Sequence, residues 1–259
     1  MRWPASSSDQ FRCERCSTTQ VLVDGVLDLL PDAARPASFM QSVMERASIA
    51  RIYETHLWRR SIWVRAATGL SFEQEYALIF EAAAIAGGRV VLDLACGSGP
   101  YLRRFALALP RGLAVGLDRS RPMLREARRR AQREGLTNLL LVHADAGDLP
   151  FAPNQFDLVN CCGAFHLFPA VDQVLREVRR VLRPGGRLTV AAFRRRPTYL
   201  SARIAERRRR VAGVDAFLPS EFAARLERAG FGETHCLHAR RAWFLMVASK
   251  TSAGSGLRS

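Results

Sequence analysis

The chain has 259 residues, 48% hydrophobic and 24% charged, an ordinary globular composition that supports one sizeable core with a small appendage. Its formal charge is +15, and of its 39 basic residues only Lys250 is lysine, so arginine carries the excess. No apolar run approaches the roughly 18 residues of a membrane span, and Met1–Gln10 lacks the layout of a secretion signal, so stable membrane insertion and export are not expected and the cytoplasm is.

Six cysteines fall at positions 13, 16, 96, 161, 162 and 236, without the spacing of a disulfide framework, which suits a reducing compartment. Only Cys13-Glu14-Arg15-Cys16 has metal-knuckle spacing, and a single pair is half of a structural zinc site. Residues 31–36 read as a linker. Two or three helices follow over residues 39–86. Met40, Val43, Met44 and Ala47 recur at helical spacing, then Tyr53, Leu57, Ile62, Trp63 and Val64, with Phe72–Ala86 as the last stretch. Tyr53, Trp58, Trp63, Phe72 and Tyr76 are either contacts of a lid or helix-packing residues. Tyr53 is the first choice for a site role, because a tyrosine both packs and reaches a polar partner.

Arg89–Pro100 is the organising stretch: a buried aliphatic strand runs into Asp93, then into a small-residue turn with Gly97 and Gly99, and a helix begins near Tyr101. Strand, glycine turn and helix N-terminus together make a nucleotide-type pocket. Leu113–Asp118 is a second buried strand, whose closing carboxylate can accept both hydroxyls of a ribose. Ser120 and Pro122 start the next helix, Pro122–Glu134. A third strand over Leu139–Ala146 brings Asp145, so three parallel strands each deliver one carboxylate to the same sheet edge. Phe156–Phe168 is a fourth strand with the loop at its carboxyl end, outside which a substrate sits in open α/β sheets. On that loop His166 can accept a proton near neutral pH, or it can simply order the loop.

A helix over Leu175–Leu182 and the turn Pro184-Gly185-Gly186 lead into a fifth strand, Arg187–Phe193. Residues 194–215 are strongly basic. With Tyr199 they read as part of a lid, as a surface for RNA phosphates, an acidic substrate or a membrane, or as a solvated helix. Pro219–Ala229 is helical, Phe231–His238 and Arg240–Ser249 form a closing hairpin, and Thr251–Ser259 is a loose tail.

The series VLDLACGSG, VGLDRS, HADAGDLPF, FDLVNCCGAFHLF and LREVRRVLRPGGRLTVAAF resembles the class I S-adenosylmethionine-dependent methyltransferases, in the branch called methyltransferase type 11, over residues 85–250. The resemblance implies an α/β, Rossmann-like seven-stranded sheet with an antiparallel last strand and helices on both faces. It divides the chain into a ribbon-like segment with linker (1–35), a helical lid (36–86), a methyltransferase domain (87–250) and a tail (251–259). Asp93, Gly97 and Gly99 would surround the methionine part of S-adenosylmethionine, with Ala95 where many members carry a first glycine. Asp118 would hold the ribose, Asp145 and Ala146 would face the adenine, and Arg119 and Cys161 complete the cofactor set. S-adenosylhomocysteine would be the product.

Residues 11–31 resemble the second half of a zinc ribbon that precedes some members. The ribbon's first Cys-x-x-Cys is not in this sequence, so no metal is expected, and Cys13 and Cys16 would be ligands only beside an upstream pair. The family's polar-Pro-Pro-aromatic loop for nucleobase N-methylation is replaced here by Asn160-Cys161-Cys162-Gly163. The expected activity is therefore O- or C-methylation of a small or amphipathic metabolite in biosynthesis. RNA (rRNA or tRNA) methylation is the alternative, and a non-methylating role on the same fold is the third.

Overall fold

The computed structural model describes residues 10–12, 19–30, 39–44, 49, 62–85 and 88–251. The Tyr53, Trp58, Cys13 and Cys16 assignments, the linker, and all of the tail after Thr251 lie outside the described residues.

Four aliphatic runs become parallel strands because both of their faces are covered. They are β4 (Val90–Leu94), β5 (Leu113–Asp118), β6 (Leu139–His143) and β7 (Phe156–Cys162). Alternation sorts their side chains between two cores. Leu92, Leu94, Val115, Leu117 and Val142 face one way, against Val174, Leu175 and Val178 of α6 (Val171–Val181) and Phe222 and Leu226 of α8 (Pro219–Arg228). Val91, Ala114 and Leu141 face the other way. There they meet Ile79 of α3 (Phe72–Ala83), Leu102 and Phe105 of α4 (Pro100–Ala108), and Leu124 and Ala127 of α5 (Arg121–Arg133).

The remaining strands are β1 (Gln10–Arg12), β2 (Thr19–Val23), β3 (Val26–Asp28), β8 (Leu182–Phe193), β9 (Phe231–Arg240) and β10 (Trp243–Lys250). The spatial order is β1-β2-β3-β6-β5-β4-β7-β8-β10-β9, with β10 antiparallel to both of its neighbours. The expected seven strands with an antiparallel last strand are present as β4 to β10. The sheet nevertheless has ten strands. The N-terminal segment does not stand apart. Asp24 and Gly25, at φ 51° and 66°, form the positive-φ turn a tight hairpin favours, and β3 pairs parallel with β6 from Val26↔Leu141 to Asp28↔His143. Leu27 is fully buried, so its apolar residues complete the main core rather than a separate ribbon.

Two boundaries differ from expectation. Strand β8 starts at Leu182 and reaches regular pairing only at Leu158↔Arg187, so Pro184-Gly185-Gly186 is a bulge within it. Helix α6 starts at Val171, four residues before Leu175, because Val171 and Val174 already face the core.

The helices before β4 are α1 (Phe39–Met44), α2 (Ile62–Thr68) and α3. A capping box starts α3: Ser71 Oγ accepts from the Gln74 amide, and Gln74 Oε1 accepts from the Ser71 amide. The Phe72 ring packs tilted against Tyr101 at 5.0 Å and the Tyr76 ring stacks on it at 6.4 Å, with the Arg104 guanidinium over the Phe72 and Tyr76 rings. For Phe72 and Tyr76 the structure realises helix packing, whereas Trp63 is exposed. The basic stretch after β8 forms α7 (Tyr199–Ala212), capped by Thr198 and ended by Gly213 at φ 67°. Helix α1 lies against α7, and α2 lies beside the start of β10, where the Ala242 amide donates to the Ala67 carbonyl.

Candidate active site

A cavity of about 260 Å³ opens at the carboxyl ends of β4, β5 and β6. Its wall includes Ala95, Gly97, Asp118, Arg119, Asp145 and Ala146, so most of the positions assigned to a cofactor from sequence come together in one place. Three do not line it. Gly99 caps α4, Asp93 is 2% exposed at the end of β4, and Cys161 is fully buried in the main core, where its small thiol packs and burial holds it protonated.

The turn after β4 is built for close approach. Ala95, Gly97 and Gly99 all take positive φ, at 55°, 55° and 80°. Ala95 holds a conformation that glycine adopts freely, at a cost of about 1–2 kcal/mol. A Cβ at Gly99 would stand 3.2 Å from Ala127 Cβ, against the helix across the turn. The Gly97 amide donates to Asp118 Oδ2 at 2.8 Å, so the first acidic strand end and the second are tied through the glycine turn. Asp118 Oδ1 accepts from the Ser120 amide at 2.8 Å, and burial raises the Asp118 carboxyl above its ordinary range against these bonds.

Asp93 is the most perturbed acid. Burial pushes it up to about 7, opposed by hydrogen bonds from Asn160 and the Leu102 amide and reinforced by the Asp118 charge. Asn160 Nδ2 donates to Asp93 Oδ1 at 2.7 Å and accepts from Thr189 Oγ1 at 2.9 Å, a chain across β4, β7 and β8. Asp93 Oδ2 is buried and accepts no hydrogen bond among the described residues. An orphaned buried carboxylate oxygen beside a glycine turn suits a cationic ligand group. On the far wall, Arg119 Nη1 pairs with Asp145 Oδ2 at 2.7 Å, while Asp145 Oδ1 accepts from the Gly147 amide at 2.8 Å.

His166, the expected proton acceptor, is not in the cavity wall. It lies in a single 3-10 turn, Phe165–Leu167, is 6% exposed, and its ring is 4.1 Å from the Phe193 ring with Trp243 edge-on at 6.2 Å. Its carbonyl accepts from the Asp215 amide at 2.7 Å. The ring packs in an aromatic cluster at the ends of β7 and β8. Among the described residues no cluster of His, Cys, Asp and Glu could hold a metal ion.

Sequence reasoning missed several residues. Phe168, Gln173 and Val174 close the cavity from the turn before α6 and from α6 itself. Gln173 Nε2 reaches the Gly147 carbonyl at 2.8 Å. More consequential is His143, buried at the end of β6: Nδ1 lies 2.6 Å from Asp28 Oδ1 and Nε2 lies 2.9 Å from the Arg119 carbonyl. Arg121 Nε also reaches Nδ1, at 3.3 Å. Arg121 pairs with the other Asp28 oxygen at 2.8 Å. The N-terminal hairpin thus reaches, through Asp28 and His143, the backbone of the residue after Asp118. Removing one partner of such an enclosed pair leaves the other unsatisfied. Asp28→Ala is therefore expected to lower unfolding stability by about 2 kcal/mol, less than for a fully buried pair because Asp28 is partly exposed, and denaturant titration measures it. Asp-to-His spacing across 115 residues leaves no local signature.

The methyltransferase domain family matches residues 85–227. An uncharacterised chloroplastic methyltransferase of Arabidopsis thaliana is 28% identical over 194 residues, 71% of this chain and 54% of that protein. The demethylmenaquinone methyltransferase of Listeria welshimeri is 40% identical over 102 residues, 39% of this chain and 43% of that protein. The chain thus spans about half the length of these curated relatives. Among solved structures, the [4+2]-cyclase SpnF superposes with a TM-score of 0.68 at 18% identity, covering 83% of this chain and 97% of that one. A phosphoethanolamine N-methyltransferase of Haemonchus contortus, solved with S-adenosyl-L-methionine, superposes with a TM-score of 0.66 at 16% identity, covering 86% and 62%. At these identities the likeness is one of fold.

Proposed function

The chain belongs to the methyltransferase domain family, and from that premise we propose that it transfers the methyl group of S-adenosylmethionine to a small or amphipathic acceptor. The observation that carries the reading is the meeting of two acidic strand ends, Asp118 and Asp145, on one cavity, with the buried, orphaned oxygen of Asp93 beneath the positive-φ turn that lines it. Asp118 would take the ribose hydroxyls, Asp145 with Ala146 the adenine side, and Asp93 with the Gly97 turn the cationic amino-acid end. The bound donor supplies a methyl group already activated on a sulfonium. The protein then has to orient donor and acceptor and exclude water, and positioning of this kind is worth about 7–11 kcal/mol.

Leu117, Met123, Phe168 and Val174 make much of the cavity wall apolar, which suits the flat faces of the donor's adenine. The segment shared with a demethylmenaquinone methyltransferase and the absence of a Pro-Pro loop after β7 favour a small or amphipathic acceptor over a nucleobase, and we place the reaction in the cytoplasm. His166 packs against Phe193, so we assign the acceptor's proton to solvent or to the acceptor itself rather than to this ring.

Incubating the full chain with methyl-labelled S-adenosylmethionine and separate panels of phenols, quinols and structured RNA tests the acceptor class. Label is expected in an organic-extractable small molecule. Label recovered in RNA instead would replace this reading with RNA methylation, and turnover of a panel member without label transfer would point to a non-methylating role such as cyclisation.

A further inference from the structure

We propose that α7, together with α2, is a docking face for an anionic lipid bilayer. Helix α7 leaves Leu200, Ile204 and Val211 exposed at 68%, 51% and 72%. At 3.6 residues per turn these three positions fall within an arc of about 40°, so they form one apolar stripe along three turns. Arg203 and Arg207 flank the stripe on one side, while Arg208, on the other, lays its guanidinium over the Phe193 ring. The opposite face is the one anchored to the protein, with Ala205 buried. Glu206 pairs with Arg209 and Arg210, away from the stripe. On α2, Ile62 and Trp63 are exposed at 75% and 80%.

Both helices sit at the same end of the sheet. The Arg208 guanidinium lies 5.6 Å over the Phe193 ring, Phe193 pairs with Trp243 across β8 and β10, and the adjacent Ala242 amide holds Ala67 of α2. Among the described residues no helix is long and apolar enough to cross a membrane.

Charge and shape select the occupant. An apolar stripe bordered by arginines, with a tryptophan nearby, matches the interfacial zone of a bilayer, where aliphatic side chains enter the acyl boundary and guanidinium groups meet phosphates. RNA would satisfy the arginines and leave the stripe in water. A chain of charge +15 is repelled by a second copy of itself and attracted by an anionic surface. Phe193 also touches His166 at the end of β7, whose following loop lines the cavity through Gly163 and Ala164, so docking brings the candidate site towards the lipid. That last step rests on the methyl-transfer reading; the docking itself does not.

The test is co-sedimentation of the full chain with phosphatidylcholine vesicles, and with vesicles in which phosphatidylglycerol replaces part of the phosphatidylcholine. Binding to the anionic vesicles alone is expected, weakened by added salt. The triple variant Leu200→Ser, Ile204→Ser, Val211→Ser and, separately, the pair Arg203→Gln, Arg207→Gln should each bind about tenfold more weakly, with the circular dichroism spectrum unchanged. No binding to anionic vesicles overturns the proposal. So does binding that the arginine pair weakens and the serine variant does not, the signature of general polyanion attraction, which RNA competition would then exhibit. S-adenosylmethionine binding measured on the same preparations reports separately on the methyl-transfer reading.

Discussion

Replacing Asp118 with alanine is expected to weaken S-adenosylmethionine binding at least about 100-fold, read by calorimetric titration. Each Asp118 oxygen accepts one backbone amide, from Gly97 or Ser120, at 2.8 Å, and each keeps acceptor capacity on the cavity side. Hydrogen bonds to a charged group contribute about 1.5–3 kcal/mol each, and two ribose hydroxyls therefore amount to a hundredfold or more at about 1.4 kcal/mol per tenfold. The same substitution frees the Gly97 and Ser120 amides, which loosens the turns on both sides of the ligand. Asp118→Asn keeps an acceptor oxygen and should fall between wild type and the alanine variant. An Asp118→Ala protein that binds within about threefold of wild type would mean that the ribose lies elsewhere.

The second large effect is a pH dependence. Asp93 is raised to about 7 by burial, so the free protein holds it largely protonated at pH 6 and largely ionised at pH 8. A folded-state value above the unfolded one contributes stability that is fully present below the ordinary carboxylate range and is lost as pH rises through about 7. The contribution is on the order of 4 kcal/mol. A cationic ligand group at Asp93 prefers the carboxylate, so binding below pH 7 must first expel the proton. Affinity for S-adenosylmethionine should therefore fall as pH drops, by about tenfold between pH 8 and pH 6. Asp93→Asn removes this component and leaves only the ligand's own amine titration as background. Affinity that rises on acidification in the wild type, relative to that variant, would contradict the assignment of the cationic end to Asp93.

The parts of this fold that could be read from sequence are those in which a single stretch carries its own instruction. Val90–Leu94, Leu113–Asp118 and Leu139–His143 are continuous aliphatic runs, which only a sheet covered on both faces can bury, and each is followed by an acid or a small-residue turn. Ser120 and Pro122 mark the start of α5 in the same local way. What escaped depends on pairing. Whether Val26–Asp28 is a ribbon strand or a strand of the main sheet is decided by its register with β6, which no spacing within the segment encodes. The same holds for Asp28 and His143, polar residues that look incidental until the two strands lie side by side. His166 shows the converse. A histidine on the loop after β7 suggests proton transfer, yet its surroundings, Phe193 and Trp243, come from β8 and β10, and they make a packed ring of it.

Equilibrium titration of S-adenosylmethionine and S-adenosylhomocysteine into the full chain tests use of this methyl donor most directly. Both are expected to bind with micromolar affinity at one shared site, each displacing the other. Failure of both ligands to bind a chain whose circular dichroism shows the α/β fold would contradict it.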